Sequence, residues 1–136
     1  MAGQDHRRAG DGRQFFDGLK QQLLAFAEAE FRLGAQQQDG HTLRWHLEVV
    51  YQQSGVMPEE LNVPPLPAEL AHLWGYFQQM NAKRTCGAMF PNPLSDEQIL
   101  GWQQRHRIWL TPFEGECIDA LDLLFLINVS KSQKTS

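Results

Sequence analysis

Residues 90–126 read FPNPLSDEQILGWQQRHRIWLTPFEGECIDALDLLFL, and this stretch decides the fold. Ser95 and Gln98 have the spacing of a capping box, in which a side-chain oxygen and an amide satisfy the orphan backbone donors of a first helical turn. Asp96 and Glu97 sit where the helix dipole favours negative charge. Thr111-Pro112-Phe113-Glu114 repeats the logic more sharply: Thr111 caps, Pro112 takes the first helical position and Glu114 closes the box. The pattern predicts one helix from Ser95 with Ile99 and Trp102 inward. It predicts a second from Thr111 to about Leu126, with Phe113, Cys117, Ala120, Leu121 and Leu124 as its buried line and Ile118 and Phe125 beside it.

Three further helices precede this pair. Gln14 to Gln37 carries Phe16, Leu19, Leu23 and Phe26 at helical spacing, with Phe15, Leu24 and Phe31 partly off that line. Thr42 is the N-cap of a helix to Ser54, in which Leu43, Leu47 and Val50 make the expected buried stripe and Gly55 the stop. Pro67 to Ala82 holds Leu70, Leu73, Trp74, Phe77 and Met80 on one face. Four prolines between Val56 and Pro67 remove donors and fix dihedrals, so that segment reads as an extended connector. Lys83 to Leu94 reads as a loop, because Gly87, Pro91, Asn92 and Pro93 interrupt any regular ladder. No alternating run is bounded by hairpin turns, and no repeat recurs. The expectation is an all-α, single-domain bundle of about five helices. The helical domain occupies residues 14–127, and disordered tails occupy 1–13 and 128–136, where the composition is small and polar.

Composition narrows the function. The 136 residues carry a formal net charge of -4, against the basic balance of a general nucleic-acid binder. Two cysteines are too few for a disulfide scaffold and read as reduced thiols. No apolar run approaches the roughly 20 residues of a membrane span, and residues 1–11 lack the apolar core of a signal peptide. His41 and His46 are not on one helical face, and no CxxC or HExxH pattern occurs, so no metal site is expected. Cys117 falls on a core face without a base, and Cys86 lies in a loop near Lys83 and Arg84; neither forms a nucleophile–base pair. No phosphate-binding glycine motif is present. The reading is non-enzymatic, without cofactor or small-molecule substrate.

Surfaces for partners are the remaining candidates. Arg105, His106, Arg107 and Trp109 combine basic and aromatic character, the mixture that stacks on nucleic acid. Glu114, Glu116, Asp119 and Asp122 put four carboxylates on the last helix with no Lys or Arg from Thr111 to Leu126. Such a run is either a solvated rim or an acidic docking face. Trp45, Trp74, Trp102 and Trp109, with Tyr76 and Phe77, serve either as core or as anchors in a groove for a partner helix.

From Thr42 to Leu126 the chain resembles the tail assembly chaperones of long-tailed bacteriophages and prophages. The resemblance rests on ordered blocks: Thr42-Leu43-Arg44, His46-Leu47-Glu48, Gly55-Val56-Met57-Pro58, Pro67, Leu70-Ala71-His72-Leu73-Trp74 and Tyr76-Phe77. It continues through Asn81, Arg84, Gly87, Pro91-Asn92-Pro93-Leu94-Ser95, Trp102, Leu110-Thr111-Pro112-Phe113-Glu114 and Ala120-Leu121-Asp122. Phe113 stands where such sequences commonly have Trp, and Lys83 to Met89 is less rich in glycine than usual. Residues 1–40 lie outside the resemblance, as either a native extension or part of a neighbouring reading frame. The resemblance implies a non-catalytic chaperone that binds the tape-measure protein and brings major tail-tube subunits to it in the host bacterial cytoplasm, and is absent from the mature virion. Self-association is a further partner class. The expected partner-binding residues are Trp74, Phe77, Arg84, Asn92, Trp102, Arg105, Arg107, Trp109, Glu116, Asp119 and Asp122. The alternatives are another phage tail or connector component, or a small nucleic-acid-binding regulator.

Overall fold

The computed structural model describes residues 2–135, with side chains from Gly12 to Gln133. It is a small all-α domain of five helices: α1 (Ala2–Leu33), α2 (Leu43–Ser54), α3 (Ala71–Ala82), α4 (Asp96–His106) and α5 (Pro112–Thr135). Among the described residues there is no strand, only isolated bridges at Gln36–Thr42 and Cys86–Pro91.

The predicted caps are in place. The Ser95 hydroxyl accepts from the Gln98 backbone N–H while the Gln98 side chain accepts from Ser95 N–H. Thr111 and Glu114 repeat the exchange at 3.2 and 2.9 Å. Thr42 caps α2 by accepting from Trp45 N–H, and Gly55 ends it at φ 73°, a left-handed conformation that favours glycine. Pro67 is not the first residue of α3. It precedes a short 3-10 turn, Ala68–Leu70, that leads into the helix, and a second such turn, Glu59–Leu61, lies in the proline connector.

The core forms where α1, α3 and α5 meet. α1 contributes Leu19, Leu23 and Ala27, α3 contributes Leu73, Phe77 and Met80, and α5 contributes Cys117, Ile118 and Leu121; Leu70, Leu94 and Trp102 complete the cluster. Burying each large aliphatic side chain contributes about 1.5–3 kcal/mol. α1 and α5 lie side by side and run in the same direction. Phe16 meets Phe113 at 5.0 Å between ring centroids, and farther along Phe31 meets Phe125 at 5.5 Å.

The structure departs from the sequence reading at several elements. α1 ends at Leu33, not Gln37, because Gly34 and Ala35 turn the chain so that Ala35 O accepts from Leu43 N–H. α5 runs past Leu126 to Thr135, taking in residues 128–135 of the expected C-terminal tail. There the Asn128 amide donates to Leu124 O and the Gln133 amide to Met89 O. α2 has no fully buried residue, so Leu43 and Leu47 are only half-buried and Val50 is exposed, against the buried stripe its spacing predicts.

Candidate partner-binding surface

The residues expected to meet partners separate into an internal latch, a set packed in or against the core, and exposed positions on α4, α5 and the corner between them. The latch centres on Arg84, whose side chain is only 4% exposed. Its Nε donates to Asn81 Oδ1 at 2.8 Å, and its Nη1 donates to Asn92 O at 2.8 Å. Nη1 also lies 2.6 Å from Asp122 Oδ1. That last contact is Coulombic rather than an aligned hydrogen bond, since Oδ1 and Arg84 Nη2 are both buried without a hydrogen-bond partner among the described residues. The other carboxylate oxygen, Oδ2, accepts from Leu94 N–H at 3.1 Å. The guanidinium sits 4.5 Å from the Phe125 ring centroid, close enough for cation–π attraction.

The loop feeding the latch is tight. Asn92 N–H donates to Thr85 O, Gly87 N–H donates to Phe90 O, and the Asn92 amide donates to the Thr85 hydroxyl. A Cβ on Gly87 would approach Phe90 O to 3.3 Å, so the turn is close-packed at that position. Asn81, Arg84, Asn92, Leu94 and Asp122 therefore fasten the α3–α4 loop to α5.

This placement corrects the reading of Asp122 as part of a solvated acidic rim: the residue is 8% exposed and serves the latch. Phe77 and Trp102 are core residues, with Trp102 Nε1 donating to Gln79 Oε1 at 3.1 Å. Trp74 is half-buried, in ring contact with Phe26 and Phe31. A partner meeting the folded domain does not reach Phe77. Arg105, Arg107, Trp109, Glu116 and Asp119 are exposed. Trp109 is 66% exposed at the α4–α5 corner, where Arg107 holds φ 56° as the C-cap of α4.

The structure adds surfaces that helical periodicity alone did not reveal. On α2 and its exit, Trp45, Val50, Tyr51, Val56 and Met57 are all exposed. Trp45 stacks on His41 at 3.7 Å, and His46 pairs with Asp39 at 2.9 Å. Between α1 and α5 lies an apolar groove of about 420 Å³ whose α5 rim is formed by Leu123 and Ile127.

Charge on α5 is uneven. Partial desolvation of its otherwise exposed side chain raises the Asp119 carboxyl above its ordinary value, and the neighbouring carboxylates Asp96, Asp122 and Glu116 push in the same direction. Burial also raises Glu114, but it is outweighed by the Thr111 backbone N–H, the His72 ring and the Thr111 hydroxyl, which hold that carboxyl below its ordinary value. Burial pushes the Cys117 thiol up to about 11. Among the described residues no group of three or more His, Cys, Asp or Glu side chains is placed to hold a metal ion. None of the described helices is long and apolar enough to cross a membrane.

Fold and surfaces together define a small all-α domain with a latched loop and uncovered apolar faces. The chain belongs to the phage tail assembly chaperone family, whose model matches residues 50–126. The match begins inside α2, so the Thr42–Arg44 and His46–Glu48 blocks lie before it, while the whole latch lies within it. No curated protein matches the chain. No solved structure matches it. Membership assigns a chaperone role in tail assembly and implies interaction with phage tail proteins.

Proposed function

We propose that this protein binds the tape-measure protein of its phage and helps recruit major tail-tube subunits to it, acting in the host bacterial cytoplasm and leaving before the virion is complete. It does so without catalysing a reaction and without a cofactor. The observation that carries the reading is the set of large apolar side chains left exposed on α2 and its exit: Trp45, Val50, Tyr51, Val56 and Met57. A helix that buries none of its residues fully gains little from its own domain. Exposed aromatic side chains are the anchors that supply much of the binding energy at interaction sites. Exposed Trp109, with Arg105 and Arg107 nearby in sequence, offers a second contact for an amphipathic client.

Co-expression tests the reading. The tape-measure protein of the same phage, co-expressed with this chain, is expected to become more soluble and to co-purify with it. Tyr51→Ser with Val50→Ser is expected to abolish both effects while leaving the helical signal unchanged. An absence of both effects with the unaltered chain would sink the tape-measure assignment. Recovery of the protein in purified particles would favour a tail or connector component instead.

A further inference from the structure

We infer that the α1–α5 groove is the seat of a second copy of this chain, paired through α5 as an antiparallel two-fold dimer. The inference is independent of which client the chaperone serves. The apolar lining of the groove is Leu24, Ala25, Ala120, Leu123, Leu124 and Ile127, with Gln21 and Glu28 of α1 flanking it. Leu123 is 61% exposed and Ile127 is 41% exposed, so none of the described residues covers this line. The alanines leave room at the centre, where a larger side chain would fill the groove.

The charge pattern of α5 selects the occupant. Along the stripe, exposed Glu116 precedes Ala120, Leu123 and Ile127, and exposed Lys131 follows them. A two-fold axis between Leu123 and Leu124, with the helices antiparallel, sets Glu116 opposite the partner subunit's Lys131. It also sets Ala120 opposite the partner subunit's Ile127 and Leu123 opposite the partner subunit's Leu124. Each cross pair occurs twice, as an isologous interface requires. Leu123 of one copy then lies over Ala120, Leu123, Leu124 and Ile127 of the other. These four residues have the i, i+3, i+4, i+7 spacing of a knob-into-hole site. A parallel pair would put Glu116 against Glu116 instead. A uniformly basic client helix would meet Lys131 at one end. The stripe from Glu116 to Lys131 spans about 22 Å, at 1.5 Å per residue, and α1 beside it widens the contact to two helices per copy.

Sedimentation velocity on the full chain, over a concentration series through the micromolar range, tests the inference. A reversible monomer–dimer equilibrium is expected. Leu123→Glu, at a solvent-exposed position, is expected to weaken it by on the order of a hundredfold with unchanged circular dichroism, because a charge is then buried against an apolar hole. Glu116→Lys alone or Lys131→Glu alone is expected to weaken it by about tenfold, since the interface contains each pair twice. The double variant Glu116→Lys with Lys131→Glu is expected to restore it. A chain that stays monomeric throughout overturns the inference. So does a dimer that ignores Leu123→Glu, or one lost instead on Tyr51→Ser, which would place the contact on α2. Charge reversals that fail to compensate each other overturn the antiparallel register. If Leu123→Glu abolishes only co-purification of the tape-measure product while the unaltered chain is monomeric, the groove belongs to the client.

Discussion

Arg84 and Asp122 form a buried ion pair, 2.6 Å between Nη1 and Oδ1, that ties the loop after α3 to the middle of α5. Two charges removed from water are costly, and the pair is tolerable here because most of the surrounding polar groups are matched. Asn81, Asn92 and Leu94 supply hydrogen bonds, and the Phe125 face supplies the remaining cation contact. The pair thus defines a loop geometry more than it adds net stability. It explains how residues scattered through Asn81, Arg84, Asn92 and Asp122 act as one structural unit.

Breaking one half of this pair is therefore expected to cost more than removing both. Arg84→Ala leaves Asp122 buried without a counter-charge and is expected to destabilise the domain by about 3–5 kcal/mol. Asp122→Asn keeps an acceptor for Leu94 N–H but strands the guanidinium, and should fall in the same direction. Arg84→Met with Asp122→Leu is expected to be more stable than either single variant. Urea denaturation followed by circular dichroism, arranged as a double-mutant cycle, gives the coupling directly. Additive losses would show that the two side chains stabilise the fold independently.

The two capping boxes permit a more local prediction. Ser95→Ala removes the acceptor for Gln98 N–H and Thr111→Ala removes the acceptor for Glu114 N–H. Each is expected to lower stability by about 1 kcal/mol. The boxes share no hydrogen-bond partner, so the double variant should show the sum. Denaturant midpoints of the three variants measure this. A Thr111 loss well above the Ser95 loss would mean that the His72–Glu114 contact at 2.8 Å is coupled to the cap.

These caps were legible in the sequence because they are local: Ser95 and Gln98, or Thr111 and Glu114, are three residues apart and meet whenever the chain turns. The core line of α3 was legible for a similar reason, since Leu73, Phe77 and Met80 share a face at helical spacing. The latch was not. The charge of Asp122 marks it as surface by type, and only the arrival of Arg84 from a distant loop makes its burial affordable. Periodicity also cannot say whether an apolar stripe is covered. Val50 and Leu121 both lie on amphipathic helices, yet Val50 faces solvent and Leu121 is fully buried. The polar end of α5 conveyed nothing of its helicity, which in this structure accompanies bonds from Asn128 to Leu124 and from Gln133 to Met89. Of the expected contact residues, the structure leaves Trp109 and the neighbouring arginines outside and draws Phe77, Trp102 and Asp122 in.

Asp119 carries a pH dependence of opposite sign to that of a favourably paired carboxylate. Its folded-state pKa is raised, first by partial desolvation and then by Asp96, Asp122 and Glu116. The folded chain therefore holds this proton more tightly than the unfolded chain does. Stability contributed at this site falls as pH rises from the unfolded value through the folded one, and the penalty persists at neutral pH. Asp119→Asn is expected to raise the thermal midpoint at pH 7 and to leave it unchanged at a pH below the unfolded carboxylate value. Thermal melts of both chains across the acid range check the convergence. A gain of equal size at every pH would assign the effect to packing instead of charge.

The two cysteines differ in both access and ionisation, which makes them probes of the core. Cys86 is exposed in the latched loop between Arg84 and Asn92, and Cys117 is fully buried on α5. The thiolate is the reactive species, and burial pushes the Cys117 thiol up to about 11, so at neutral pH it is both protonated and covered. A thiol reagent is expected to modify Cys86 in the folded protein and to reach Cys117 only after denaturant unfolds the core. In Cys86→Ser, labelling of Cys117 reports opening of the packed α1–α5 region alone. Its rate should rise in Arg84→Ala, because losing the latch increases the population of opened states. Equal rates in the two backgrounds would show that α5 stays packed on α1 without Arg84, and that the latch secures only the loop.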